Sequence, residues 1–348
     1  MKCTLLKACI FLVTWVGLSP TDQARVGSLR ATQTISIRGE TATDFIEPAK
    51  IDQAGNVYLR YGMSDSSYRP VVKLSSGGRK IASYDVAAVP GHEGAHLRDF
   101  CIDVEGNLIA LIRQEDGSSH LLTFDSQGNF QSSVAVDENI DPYRMAFAGD
   151  DTLVLSGRVP PRQQDPTKRS GSEPLVVTTN LNGKILKKVE LPGDILPTPL
   201  QPGSRSPKRD MAFEEAVSGA VMDTAEDKNV YLARPGKTGF IYVISSKGIV
   251  LRQMPLKVPS DFLLYGLKAH GDELAAVTIQ HSDKGDGTQV MRSEVQIYRT
   301  STGELLNSYL LDSNISFALA GFRDGGPFIF VGSADDATVT LYKTQPRM

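Results

Sequence analysis

The feature that most constrains this chain is an internal repeat running from Lys50 almost to the C-terminus. The first copy reads KIDQAGNVYLR from Lys50 and VVKLSSGGRKIASYDV from Val71. The phrase returns as FCIDVEGNLIALIR with HLLTFDSQGNFQSSVAV between Phe100 and Val136, and more loosely as MAFAGDDTLVLSGR with LVVTTNLNGKILKKVEL between Met145 and Leu191. A fourth copy pairs AVMDTAEDKNVYLAR with IYVISSKGIVLRQMPL, and a fifth pairs GLKAHGDELAAVTIQ with VQIYRTSTGELLNSYLL. A sixth begins FALAGFRDGGPFIFVGS and stops one strand short, at TVTLYKTQ. Each copy holds two tight turns rich in Gly, Asn and Asp between short runs of Val, Ile, Leu, Tyr and Thr, the composition of two successive β-hairpins. Four strands recurring at about 45 to 50 residues form the pattern of a propeller blade, whose sheet buries both faces only when neighbours stack around an axis.

The expected fold is therefore all-β: a six-bladed β-propeller with four-stranded blades. Second strands such as Leu108-Ile109-Ala110-Leu111-Ile112 are continuously apolar, which places them inside the blade. Third strands such as Val295-Gln296-Ile297-Tyr298-Arg299 alternate, which suits a position nearer the outer edge. The β-prone segment at residues 31–37 has no partner of its own. It is expected to complete the sixth blade, closing the ring and removing exposed sheet edges. Residues 25–348 then form one domain.

The strings IDQAGNVYL, IDVEGNLIAL and, with an insertion, MDTAEDKNVYLA resemble the D-x-x-G-N-[VIL]-[YW] turn of NHL-type propeller repeats, and FDSQGNF resembles the turn that follows it. Copies three, five and six depart from that motif. The resemblance covers nearly all of residues 25–348 but implies architecture only. That superfamily includes protein-binding propellers, lactonases and lyases, and a fold does not carry a function by itself.

Ahead of the repeats, Lys2 and Lys7 precede an apolar run from Ala8 to Leu18 and a polar stretch ending at Ala24. This is the order of a secretory signal peptide, with cleavage expected after Ala24. The run is too short to span a bilayer, which needs about 20 apolar residues, and no later segment reads as a membrane helix. A secreted or periplasmic protein without a membrane span is expected. Cys3 and Cys9 leave with the signal, so Cys101 stands alone, expected as a small buried core residue. A formal net charge of -3 gives no pull towards nucleic acid, and a monomer is expected.

The connections between second and third strands, and between copies, vary in length and emerge at one end of the blades: residues 61–69, 88–98, 158–174, 192–217 and 281–293. Variable loops on a rigid scaffold are where binding residues sit. Arginines recur where the second strand exits towards that end, at Arg60, Arg113, Arg158 and Arg234, and Arg162, Lys168 and Arg169 lie in a long loop beside them. Guanidinium groups grip carboxylate and phosphate in bidentate fashion, so these residues are candidate ligands for an acidic peptide or anionic glycan. His92-Glu93-Gly94-Ala95-His96 fits H-E-x-x-H, a zinc-hydrolase string when it lies on a helix. Pro90, Gly91 and Gly94 oppose a helix here, which leaves His92, Glu93 and His96 as weak loop candidates for a divalent metal.

The leading expectation is a non-enzymatic binding or scaffold propeller that offers its long-loop end to a protein, peptide or glycan partner. No motif requires a cofactor. The alternative is a metal-dependent hydrolase or lyase, lactonase-like, with an axial site at the same end and Asp99, Asp141, Glu214 or Asp261 among its acids.

Overall fold

The computed structural model describes residues 25–41, 46–61, 70–160, 174–193, 220–234, 239–258, 262–284, 287–311, 317–322, 328–333 and 338–347. Strand β1 (Arg25–Thr41) leads the chain. Strands β2 (Ile46–Ile51), β3 (Val57–Tyr61), β4 (Val71–Leu74) and β5 (Lys80–Tyr84) then pair in order as a four-stranded antiparallel sheet. A short 3-10 turn at Val86–Ala88, capped by the Asp85 carboxylate, leads to a second such sheet of β6 (His96–Ile102), β7 (Leu108–Arg113), β8 (Ser119–Phe124) and β9 (Phe130–Ala135). The third contains β10 (Asp141–Phe147), β11 (Thr152–Arg158), β12 (Pro174–Asn180) and β13 (Ile185–Lys188). The fourth contains β14 (Val221–Thr224), β15 (Val230–Ala233), β16 (Gly239–Ile244) and β17 (Val250–Leu256). The remaining strands are β18 (Phe262–His270), β19 (Glu273–Lys284), β20 (Gly287–Arg299), β21 (Leu305–Leu311), β22 (Phe317–Gly321), β23 (Phe328–Ser333) and β24 (Thr338–Arg347). They form one eight-stranded sheet with β1, in the order β18-β19-β20-β21-β1-β24-β23-β22. The arrangement is propeller-like and all-β, with four-stranded blades.

The D-x-x-G-N string works as a turn. Asp52 accepts the Asn56 backbone N–H and the Asn56 side-chain amide, each at 2.8 Å, and Asp103 holds Asn107 in the same way at 2.8 Å twice. Asp125 clamps Asn129 at 2.9 and 2.8 Å. Gly106, inside the second clamp, sits at φ +83°, a region that costs a side chain and not a glycine. In the fourth copy Lys228 takes that strained place at φ +62°, while Asp227 holds Asn229. The carboxylate thus fixes a hairpin by satisfying donors that the turn leaves open.

Buried clusters lie between the sheets. One joins Tyr58, Tyr84, Phe100 and Leu108 across the first two sheets, and the next joins Ile109, Leu111, Met145 and Leu155. Val154 and Leu232 share a third, and Ile241 and Leu274 a fourth. Val277 meets Phe330 in a fifth, and Ile37, Leu59, Val331 and Leu341 form a sixth between the ends of the chain. The described apolar residues of the second strands are buried, as expected. Third strands are too, with β4 fully buried and Gln296 of β20 only 4% exposed. The exposed layer is the fourth strand, where every residue of β9 from Phe130 to Ser133 faces solvent. Alternation in β20 therefore reflects a polar residue accommodated inside the stack, where Tyr298 Oη donates to Gln296 Oε1 at 2.6 Å.

Residues 31–37 pair as expected, with Ala31 opposite Thr344 and Ile35 opposite Leu341 in antiparallel register with β24. The strand also extends further than the sequence indicates: Arg25 to Leu29 run parallel to Asn307–Leu311 of β21. A second difference concerns residues 281–293, expected as a loop. They continue the β19–β20 ladder, with His281 opposite Val290 and Lys284 opposite Gly287. The Gly285-Asp286 dipeptide between those strands is of the kind that favours a two-residue connection.

Ile37 is 2% exposed and belongs to the cluster between the chain ends. Ile37→Ala should cost about 3 kcal/mol in chemical denaturation. Exposed Thr32→Ala, which loses only a hydroxyl bond to Lys343 O at 3.0 Å, should cost about 1 kcal/mol or less.

Candidate functional site

At the end where the second strands exit, the structure gathers arginines around a single carboxylate. Asp141 opens β10 and is 6% exposed. Arg98 Nη1 lies 2.6 Å from Oδ1, Arg158 Nε 3.0 Å from Oδ2, and Arg113 Nη1 3.5 Å from Oδ2. Arg98 also donates to Pro142 O. The guanidinium carbons of Arg98 and Arg158 lie 4.2 and 5.3 Å from the ring centroid of Tyr143, whose hydroxyl donates to Asp141 at 3.4 Å. The local ladder makes this approach possible. A Cβ on Gly157 would lie 2.2 Å from Asp141 O, so only glycine lets β11 come close enough beside the β10 irregularity between Pro142 and Arg144. Among the described residues, three guanidinium groups thus converge on the one carboxylate of Asp141.

Arg113 and Arg158 come together as one site, and Arg98, which the sequence pattern did not single out, joins them. Arg60 is separate: its guanidinium donates to Leu97 O, and burial, with Arg144 nearby, lowers its pKa while Asp99 partly offsets this. Burial likewise lowers that of Arg98, against the pull of Asp141. Arg234 is 7% exposed beyond the end of β15. Arg162, Lys168 and Arg169 lie outside the described residues.

The H-E-x-x-H string forms no helix. His92 and Glu93 sit in turns, and His96 opens β6 as an exposed residue paired with Arg113 in the ladder. His92 is 7% exposed, and both ring nitrogens are engaged: Gln114 Nε2 donates to Nδ1 at 2.7 Å, leaving Nε2 to donate to Ser133 Oγ at 2.8 Å. Glu93 Oε1 accepts the Gly91 N–H at 3.0 Å, and backbone hydrogen bonds lower the pKa of this exposed carboxyl. His92 meets the His120 ring edge-on at 5.1 Å. Among the described residues no group of three His, Cys, Asp or Glu is arranged to hold a metal ion. Cys101 is buried at 3%, and desolvation raises its thiol pKa far above the usual range.

Of the acids considered for axial chemistry, Asp99 is 3% exposed, with Oδ1 accepting Phe100 N–H and Oδ2 accepting Met145 N–H, each at 2.8 Å. Asp223 repeats the device from β14, accepting Ala269 N–H at 2.9 Å. Both carboxylates tie one first strand to the next. Glu214 and Asp261 lie outside the described residues.

The sequence reading missed a cavity of about 940 Å³ at the opposite end, among the short turns between first and second strands. Ile51, Phe147 and Phe322 line it, with the acids Asp103, Glu105, Asp223 and Glu226 and the lysines Lys73 and Lys228 among its polar positions. Its signal was present in the D-x-x-G-N turns, whose acids recur at one end of every matching copy.

No protein-family model matches this chain, and no curated protein matches it. Its structure is similar to that of a member of the DUF4221 family from Bacteroides vulgatus, at TM-score 0.55 and 9% identity, covering 92% of this chain and 98% of that one. The chain is built as a β-propeller. Weaker likenesses are to the PQQ-bound form of an aldose sugar dehydrogenase from Streptomyces coelicolor, TM-score 0.45 at 11% identity over 92% and 98% of the two chains, and to a protein of unknown function from Bacteroides caccae, TM-score 0.42 at 11% identity over 76% and 86%. At these identities likeness speaks to the fold alone.

Desolvation, and then the neighbouring His92, lower the pKa of His120 from its ordinary 6.5. A histidine depressed in the folded state supports folding above its unfolded pKa, and that support is lost as pH falls from there through the folded value. The melting temperature should therefore drop between pH 7.5 and 5, and His120→Gln should flatten the decline. An unchanged slope in the variant would contradict the assignment.

Proposed function

We propose that this chain is an exported, six-bladed, NHL-like β-propeller whose long-loop end binds the acidic groups of a partner. The six-blade reading treats the eight-stranded sheet as two four-stranded blades bridged by β1. Six buried clusters, each spanning neighbouring groups of four strands, support that count. Export rests on the signal-like residues 1–24, and β1 begins at Arg25, so removing those residues leaves every described strand pair intact.

The observation that carries the binding reading is the Asp141 cluster. Among the described residues a single carboxylate, that of Asp141, is shared by Arg98, Arg113 and Arg158, whose side chains are 12%, 35% and 18% exposed. A partly desolvated excess of guanidinium beside the Tyr143 ring suits a carboxylate-bearing peptide or an anionic glycan. Metal-dependent hydrolase or lyase chemistry is the weaker reading, because the oxygens of Asp99 and Asp141 are committed to backbone N–H groups and guanidinium groups.

Purified residues 25–348 should bind immobilised oligogalacturonate or poly-glutamate, and not neutral maltooligosaccharide. Arg113→Gln and Arg158→Gln should each weaken that binding by about tenfold. Asp141→Asn should strengthen it while destabilising the fold by about 3 kcal/mol, since the partly buried guanidinium groups lose the carboxylate they share. Equal binding of acidic and neutral probes, or none, would overturn the reading.

A further inference from the structure

Between the two ends, the first strands enclose a narrow waist of about 60 Å³. Its charged lining is Lys50 from β2, Arg144 from β10 and Lys268 from β18, against the single carboxylate of Asp99 from β6. The cations come from the first, third and fifth first strands in chain order, alternating with strands that contribute Asp99, Met222 and Leu319. Three positive groups are therefore spread around the axis, and the acid among them already accepts two backbone N–H bonds. Lys268 Nζ donates to Ala49 O at 2.6 Å, linking β18 to β2 on either side of β22. Arg144 Nε donates to Ala220 O at 3.3 Å.

Lys50 differs from these. It is 8% exposed, and no described residue accepts a hydrogen bond from its ammonium or pairs with it as an ion. Its contact is the Phe100 ring, 5.9 Å from Nζ to the centroid. A ring face offsets only part of the loss of water around an ammonium, and a buried cation ordinarily has a counter-charge. The waist has room for a few waters or one small ion.

We propose that the waist of the axial channel is an anion site, in which Lys50, Arg144 and Lys268 together hold one monovalent anion of halide or carboxylate size. The anion supplies Lys50 with the acceptor and counter-charge that no described residue gives it, and it pins β2, β10 and β18 to a common centre. The site is enclosed by first strands and is independent of whatever partner occupies the long-loop end.

The test uses residues 25–348 purified in sodium gluconate, whose anion is too large for the waist. Replacing gluconate by sodium bromide or sodium acetate at constant ionic strength should raise the melting temperature saturably, by several degrees. Lys50→Met should abolish the saturable part, and Lys247→Met, on an exposed turn, should retain it. Crystals soaked in bromide should show an anomalous peak between Lys50, Arg144 and Lys268. If Lys50→Met does not fold, that peak in the unaltered chain decides the matter. Anomalous density absent from the waist, or a linear rise that Lys50→Met shares, would overturn the proposal.

Discussion

The pairing of β1 with both β24 and β21 is the constraint on which the remaining geometry depends. A stack of four-stranded sheets around an axis has no stable open form, since the first and last sheets would each expose an apolar face. Here the N-terminal strand lies against the C-terminal one from Ser28–Arg347 to Thr41–Thr338, and its first residues cross onto the neighbouring group of strands. One side of this pairing buries Ile37 with Leu59 and Val331, and the other buries Leu29 with Val277 and Phe330. Closure therefore acts through packing on both sides as well as through the ladder. It also sets the diameter at which the first strands converge, and so the width of the waist.

Much of this was legible because the repeat writes the same turn chemistry several times. Asp52, Asp103 and Asp125 each hold an asparagine four residues on, so the repeated D-x-x-G-N string signals hairpins rather than a reaction. The incomplete sixth copy and the orphan strand at residues 31–37 are complementary shortfalls, which made their pairing readable. The parallel contact of Arg25–Leu29 with β21 was not legible, because short parallel pairings leave no turn signature. The β19–β20 extension was missed for a different reason: its strands are polar, and polar text reads as loop unless the Gly285-Asp286 connection is weighed first.

The site was legible in kind and incomplete in membership. Recurrence of arginine at second-strand exits pointed to Arg113 and Arg158, which do meet. Arg98 belongs to a first strand and carries no recurring signal, so only the fold brings it in, and Asp141, expected as an axial acid, is instead the carboxylate the arginines share. His92 illustrates the opposite case, a residue made conspicuous by a string whose chemistry requires a helix. Its imidazole is held by Gln114 and Ser133 instead. Along the axis, arginines gather around Asp141 at one end, Lys50, Arg144 and Lys268 line the waist with Asp99, and acids together with Lys73 and Lys228 lie among the short turns.

The central claim, that the N-terminal strand is an integral closing element, is tested most directly by amide hydrogen exchange of residues 25–348 followed by mass spectrometry. Peptides spanning residues 29–37 should exchange as slowly as those spanning 338–347, because they share one ladder and one pair of buried clusters. Full exchange of residues 29–37 within seconds, while 338–347 stays protected, would contradict the account.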